Sequence, residues 1–195
     1  GTFGAIIKMR PPIPDRRSLI DIGAAGPLGG FIVAVVAVMI GLTYSDIKSA
    51  KEIQEGLSLG SSILFYILSK IVLNVDPDKY EIVLHPIAFA GWIGFLVTSL
   101  NLLPIGQLDG GHIIYALLGE KHQRVSKWII PILIVLGILF WSGWIIWAFL
   151  MLILGYKHPP VVYPEIPLDG KRKFIGWICF VIFILTFTAV PIKGK

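Results

Sequence analysis

The stretch SLNLLPIGQLDGGH, residues 99–112, places an aspartate at the end of a long apolar run. A charged side chain at bilayer depth costs about 2.5–3.5 kcal/mol on insertion scales, so such residues are rare in membrane helices and usually functional. A proline and three glycines surround Asp109, which predicts a break in the helix. Non-helical backbone at that depth is tolerated only against protein or a water-filled cavity. The stretch therefore indicates a polar site inside a membrane domain.

The composition of the 195-residue chain is that of an integral membrane protein, because 55% of the residues are hydrophobic and only 15% are charged. Soluble domains average roughly 25% charged residues. The net charge of +5 comes from basic clusters between apolar runs, which are typical of loops that set membrane topology. We therefore predict the lipid bilayer, and no nucleic acid, as a partner. The single cysteine, Cys179, can form no intrachain disulfide and is expected to pack or to face lipid.

Apolar runs long enough to cross a bilayer predict four membrane-spanning helices, since about 20 apolar residues make one span. These runs are 26–44, 84–103, 128–154 and 174–190. The run 59–73 is shorter and contains Lys70, so it predicts an interfacial or re-entrant helix. The predicted fold class is an all-α membrane protein, a polytopic transmembrane helix bundle with a short β segment near residues 2–7. The predicted location is a multi-pass integral membrane protein of the cell membrane or an equivalent membrane.

The predicted organisation is a single membrane-embedded domain over residues 1–195. Within it we expect a strand and loop at 1–25, core helices with the aspartate motif at 26–127 and C-terminal helices at 128–195. Pro27 is expected in the first turn of the first span, where its missing N–H does no harm. The run 128–154 is long for one upright span, and its WSGW sequence at 141–144 predicts a tilt or kink.

The polar candidates within the opening stretch are Asn101, Gln107, Asp109 and His112. A carboxylate is a suitable third ligand for zinc, and a glycine-flanked turn can direct Asp109 into a cavity. His112 follows by three residues, a spacing that can place it beside Asp109 on a helix. From this pattern alone, a role for Asp109 as a helix cap is equally compatible. The other histidines are expected at membrane boundaries or in a basic loop rather than on a metal: His85, His122 and His158.

The segment NLLPIGQLDGGH resembles the Asn-x-x-Pro…Leu-Asp-Gly motif of the site-2 proteases, zinc metalloproteases that cut inside membranes. The blocks GTFGAIIKMR at 1–10 and DIGAAGPLGGF at 21–31 are similar to that family's pattern and occur in the same order. The segment at 85–104 is also similar, most of all to the branch that includes chloroplast and archaeal members. The resemblance covers about residues 1–120, and the later helices match in character only.

The resemblance implies an intramembrane zinc endopeptidase that cleaves membrane-anchored protein substrates, as in regulated intramembrane proteolysis. It implies that Asp109 is a ligand of Zn²⁺ and that Asn101 is a catalytic residue that positions substrate or stabilises the oxyanion. It leaves open whether His112 contacts the metal or orients Asp109. A strand that pairs with extended substrate is expected at Thr2, Phe3, Gly4 and Ala5. Such pairing makes physical sense because a helical peptide must be unwound before its carbonyls can be attacked.

The sequence departs from the family pattern in one respect, since residues 1–195 contain no H-E-x-x-H. In the family this motif precedes the GTFGA block and supplies two histidine ligands and the glutamate general base. We therefore expect this chain to be the C-terminal part of a longer catalytic domain and to be inactive alone. Two alternatives remain: a transporter-like protein with a site at the membrane midplane, and a non-catalytic membrane scaffold.

Overall fold

The computed structural model describes residues 13–48, 58–74 and 80–193. Within these ranges the chain is mostly helical. The helices, in chain order, are α1 (Arg16–Thr43), α2 (Ile63–Leu73), α3 (Pro86–Asn101), α4 (Asp109–Leu118), α5 (His122–Leu139), α6 (Gly143–Leu154) and α7 (Gly170–Thr186). Short strands form two antiparallel pairs, β1 (Asp46–Lys48) with β3 (Glu81–Val83) and β2 (Ser58–Leu59) with β4 (Ile192–Lys193). The β segment predicted at residues 2–7 lies outside the described residues.

Helix α1 begins at Arg16, earlier than the sequence predicted. Asp15 caps the helix, because its side chain accepts hydrogen bonds from the backbone N–H groups of Arg17 and Ser18. Pro27 therefore lies inside α1 and not in its first turn. The predicted start at residue 26 and the assignment of 16–25 to a loop are wrong, because the aspartate cap is a stronger start signal than the proline.

Small residues let α1 lie close to α3 along much of its length. A Cβ built on Gly41 would overlap the backbone of Ala88, and one on Gly94 would lie 2.7 Å from the Cβ of Ala34. Close approach through small residues is the packing mode typical of membrane helices, where backbone contact replaces the hydrophobic driving force. Gly41 and Ala34 of α1 therefore lie at its closest contacts with α3.

The run 128–154 consists of two helices and is not the single long span predicted from its length. Helix α5 ends at Leu139, α6 begins at Gly143, and the two pack against each other with Gly137 in contact with Ile145. Gly143 leaves room for the ring of Trp141 within the turn. The WSGW sequence therefore forms a turn between two packed helices, and the prediction of a tilt or kink is wrong.

Among the residues that the structure describes, two helical stretches are long and apolar enough to cross a membrane. The first is α1, and the second is Asp109–Leu139, which comprises α4, a short 3-10 turn (Gly119–Lys121) and α5. Gly119 has a positive φ of 62° and interrupts the second stretch, a conformation that glycine adopts at little cost. Helices α2, α3 and α6 are shorter apolar helices, and α2 is the short helix predicted within 59–73.

Apolar side chains cover both the interior and much of the outer surface. A buried cluster that includes Leu19, Ala116 and Cys179 joins α1, α4 and α7 beside the aspartate motif. On the outside, Ile138 of α5 and Ile146 of α6 are 70% and 71% exposed, and many other large apolar side chains are also exposed. Soluble monomers rarely expose large contiguous apolar surfaces, so this surface is suited to contact with lipid.

Candidate active site

The aspartate motif spans the junction between α3 and α4. Helix α3 ends at Asn101, residues 102–108 form turns, and α4 begins at Asp109. The predicted break in the helix is therefore present, but it ends before the aspartate. Gly110 and Gly111 lie inside α4, where a Cβ on either would overlap backbone carbonyls of the preceding turns. These glycines are required because α4 packs directly on the turns that lead into it.

The carboxylate of Asp109 has no partner in the described parts of the chain. Leu108 is the N-cap residue of α4, Asp109 lies in the first turn, and no side chain caps this helix. The ion pairs among the described residues involve other aspartates. The alternative in which Asp109 caps the helix is therefore not what the structure shows. Since Asp109 is half-buried, its charge lacks the compensation that buried polar groups usually have.

A glycine-lined face of α1 lies against Asp109 and His112. A Cβ on Gly26 would be 3.6 Å from Oδ2 of Asp109. A Cβ on Gly23 would be 3.0 Å from the carbonyl oxygen of Asp109 and 3.0 Å from the Cβ of His112. The two glycines therefore let α4 approach α1 closely and place no side chain opposite the carboxylate.

Asn101 and Asp109 lie at adjoining helix ends. Asn101 is the last residue of α3, and the carbonyl of the next residue, Leu102, packs against Gly110. Gln107, between them, is exposed. The two motif residues to which the family resemblance assigns roles therefore lie at either end of the turns between α3 and α4. The predicted substrate-pairing residues lie outside the described residues and stay predictions: Thr2, Phe3, Gly4 and Ala5.

His112 is buried against a histidine that the sequence analysis placed elsewhere. Nδ1 of His112 lies 2.6 Å from Nε2 of His158, and Nδ1 of His158 lies 2.6 Å from the carbonyl oxygen of Pro159. His112 and His158 are 6% and 5% exposed. Tertiary packing therefore brings His158, which the sequence predicts at a membrane boundary, next to α4.

The ring of Tyr115 contacts two buried histidines, His158 and His122. It is 4.6 Å from the ring of His158 and 4.7 Å from the ring of His122. His122 is fully buried, and its Nδ1 contacts the Gly119 carbonyl oxygen at 2.9 Å. The prediction that His122 lies in a loop is wrong, because His122 is the first residue of α5. His85 is different, since it is only half-buried and caps α3 through Nδ1.

The described side chains can supply a carboxylate ligand, Asp109, to a zinc site. No group of three or more His, Cys, Asp and Glu side chains within 13–48, 58–74 and 80–193 could hold a metal ion together. A carboxylate oxygen is a zinc ligand, and zinc sites in proteins use three or four protein ligands. Asp109 fits as one of these ligands, because no hydrogen-bond donor among the described residues occupies its carboxylate. A zinc ion held by Asp109 would therefore need at least one ligand from outside the described residues.

An apolar cavity of about 200 Å³ lies beside the motif, between α4 and α7. Its walls include Leu102, Gly110 and Cys179. Cys179 is 1% exposed and belongs to the buried cluster that joins α1, α4 and α7. The packing role predicted for this cysteine is confirmed, and lipid contact is not its environment.

The family model of peptidase family M50 matches residues 2–141, a segment that contains the whole aspartate motif. The chain belongs to peptidase family M50. This membership confirms the resemblance to the site-2 proteases. No solved structure matches the chain.

Several relatives in this family are chloroplast proteins with zinc metalloprotease names. The chain is 33% identical over 125 residues to "Probable zinc metalloprotease EGY1, chloroplastic" of Oryza sativa subsp. japonica, which covers 62% of this chain and 21% of the relative. It is 27% identical over 192 residues to "Probable zinc metalloprotease EGY2, chloroplastic" of Arabidopsis thaliana, a match that covers 98% of this chain and 34% of the relative. It is 27% identical over 203 residues to "Probable zinc metalloprotease EGY3, chloroplastic" of Oryza sativa subsp. indica, a match that covers 95% of this chain and 34% of the relative. The chain thus spans 21–34% of the length of these relatives.

Proposed function

We propose that this chain is part of an intramembrane zinc endopeptidase that cleaves membrane-anchored protein substrates. The observation that carries the proposal is the half-buried Asp109 carboxylate, which has no donor in the described parts of the chain and lies in the segment that matches family M50. In a peptidase family, such a carboxylate fits a metal ligand better than a structural cap. The names of the relatives support Zn²⁺ as the metal.

The residues of this chain would contribute two functions to the site. Bound Zn²⁺ supplies Lewis-acid activation of water and of the scissile carbonyl. Asp109 would hold the metal through an anionic oxygen, and the positive end of the α4 dipole stabilises a carboxylate in the first turn. Asn101 would offer its amide N–H groups to the substrate carbonyl as that oxygen gains negative charge. The general base and the remaining zinc ligands would come from another part of the complete protein.

The membrane location is supported by helix length and by the apolar outer surface. Helix α1 has 28 residues, which gives about 42 Å of helix at 1.5 Å per residue, and the hydrocarbon core is about 30 Å thick. We propose a multi-pass protein in which the shorter apolar helices α2, α3 and α6 belong to the same membrane domain as α1. Residues 1–195 would then form one membrane-embedded protease domain, and residues 2–5 would pair with substrate as an added strand.

Replacing Asp109 in the complete protein tests the proposed function. Asp109→Asn and Asp109→Ala are both expected to abolish cleavage of a membrane-tethered reporter, because a neutral amide or a methyl group is a poor zinc ligand. A helix cap would give another result, since Asn caps about as well as Asp. Asp46→Asn, at an exposed aspartate in β1, is the control and should cleave normally. Near-normal cleavage by Asp109→Asn would contradict the ligand role.

A further inference from the structure

The contact between His112 and His158 joins two parts of the chain that are 46 residues apart. His112 lies on α4, one helical turn after the candidate zinc ligand Asp109. His158 lies in the segment 155–169 that connects α6 to α7. The proposed function so far assigns no role to this pair.

The hydrogen positions of the pair follow from the Pro159 carbonyl, which can only accept a hydrogen bond. Nδ1 of His158 must therefore carry the proton that is donated to this oxygen. Burial lowers the pKa of His158, which favours the neutral imidazole, so its Nε2 carries a lone pair. That lone pair accepts the hydrogen bond donated by Nδ1 of His112. A neutral His112 with a proton on Nδ1 has its own lone pair on Nε2.

The segment that delivers His158 is held in place by several further contacts. The backbone N–H of Val161 donates to the hydroxyl of Tyr115 at 3.4 Å. The backbone N–H groups of Val162 and Tyr163 donate to the carbonyls of Ile13 and Pro14, just before α1, at 3.1 and 2.8 Å. The ring of His158 also stacks on Tyr115. The position of His158 is therefore fixed by both α4 and the residues that precede α1.

We propose that His158 is a positioning residue that fixes His112 as the Nδ1-protonated tautomer and keeps the Nε2 lone pair of His112 free, one turn from Asp109. The pair is not a proton relay, because the chain of contacts ends on a carbonyl oxygen that cannot take up a proton. The Nε2 lone pair of His112 can accept a hydrogen bond from a water molecule or a substrate N–H. The effect on catalysis rests on the proposed function, whereas the tautomer assignment does not.

Two polar variants of His158 separate its role as hydrogen-bond acceptor for His112 from its role as donor to Pro159. In His158→Gln the amide oxygen can reach the position of the imidazole Nε2, so an acceptor for His112 is kept. In His158→Asn the shorter amide reaches only the position of Nδ1, so the bond to Pro159 is kept and the acceptor is lost. His85→Asn is the control, because His85 caps α3 away from the pair and Asn is itself a good cap.

The direct readout is the ¹⁵N spectrum of histidine side chains in the complete protein, with the His112 signals assigned by their loss in His112→Gln. In the wild type, His112 should show a protonated Nδ1 and a bare Nε2, and His158→Gln and His85→Asn should keep this pattern. His158→Asn should give a mixture of His112 tautomers. A wild-type His112 with its proton on Nε2 would overturn the proposal, even if no variant of His158 folds.

The second readout is the cleavage of a membrane-tethered reporter. We expect His158→Asn to lower kcat about tenfold with KM unchanged, the size of effect seen when a partner of an active-site group is lost. His158→Gln should restore most of kcat. Equal kcat for His158→Asn and the wild type would overturn the positioning role, while Asp109→Asn tests the proposed function separately.

Discussion

The tripeptide Leu-Asp-Gly occurs twice in this chain, at 108–110 and at 168–170, and a helix begins at each. In the second copy Asp169 is the N-cap of α7 and accepts a hydrogen bond from the backbone N–H of Arg172 at 3.0 Å. Its other oxygen pairs with the Arg172 guanidinium at 2.7 Å. In the first copy Asp109 lies inside the first turn and has no such partner in the described ranges. The same three residues give a satisfied cap in one place and an uncompensated carboxylate in the other.

The glycines of the two copies differ as well. A Cβ on Gly110 would overlap the carbonyl of Leu102, whereas a Cβ on Gly170 would meet nothing within 4 Å. The tripeptide by itself therefore does not identify a metal ligand. What distinguishes Asp109 is its surroundings, namely the turns before α4 and the glycine face of α1.

The largest expected difference between the copies is in stability. Gly110→Ala should lower the free energy of unfolding by about 2–3 kcal/mol, since overpacking costs about 1–3 kcal/mol and the atoms it meets are backbone carbonyls that cannot rotate away. Gly170→Ala should be neutral or slightly stabilising, because Ala forms helices better than Gly by up to about 1 kcal/mol. Detergent-induced unfolding of the purified complete protein measures both. Equal stability of the two variants would contradict the packing difference.

The sequence predicted the motif junction well because its signals are local. Pro104 and Gly106 interrupt the helix before Asp109, and the break between α3 and α4 lies there. The start of α1 is equally local, since Asp15 is a typical N-cap residue and a stronger start signal than Pro27. The turn between α5 and α6 could not be distinguished from a kink, because the sequence does not show that the two helices pack against each other.

The histidine cluster could not be predicted from sequence spacing. His112 and His158 are separated by α5, α6 and part of the connecting segment, so only the tertiary fold brings them together. The two prolines after His158 indicate a stiff segment, but they do not show what the histidine contacts. The lack of a hydrogen-bond donor near Asp109 among the described residues is likewise a property of the fold. No sequence pattern shows which donors lie within reach of this carboxylate.

The two Leu-Asp-Gly copies should also differ, by a smaller amount, in how acid pH affects the stability of the helix that begins at each. The side chain and backbone N–H of Arg172 lower the pKa of Asp169 from its ordinary value of 3.8 to about 2. Because the folded pKa is the lower one, the stabilisation is fully present above the ordinary value and is lost as the pH falls through about 2. The effect is small because both side chains are about one-third exposed, so that solvent screens the pair.

The variant Asp169→Asn isolates this acid effect, because Asn keeps the cap but cannot ionise. Protection against hydrogen exchange in the first turn of α7, measured relative to an unstructured reference peptide, should fall towards low pH in the wild type. In Asp169→Asn this protection should not change with pH. The same pH dependence in both proteins would show that the pair with Arg172 contributes nothing to this helix start.

The most direct test of a ligand role for Asp109 is the zinc content of two matched variants of the complete protein, Asp109→Asn and Asp169→Asn. Each removes one negative charge from a Leu-Asp-Gly copy at a helix start. We predict that purified Asp169→Asn retains the zinc-to-protein ratio of the wild type, and that Asp109→Asn loses zinc at a chelator concentration that leaves the wild type loaded. Equal zinc retention by the two variants would contradict the assignment of Asp109 as a zinc ligand.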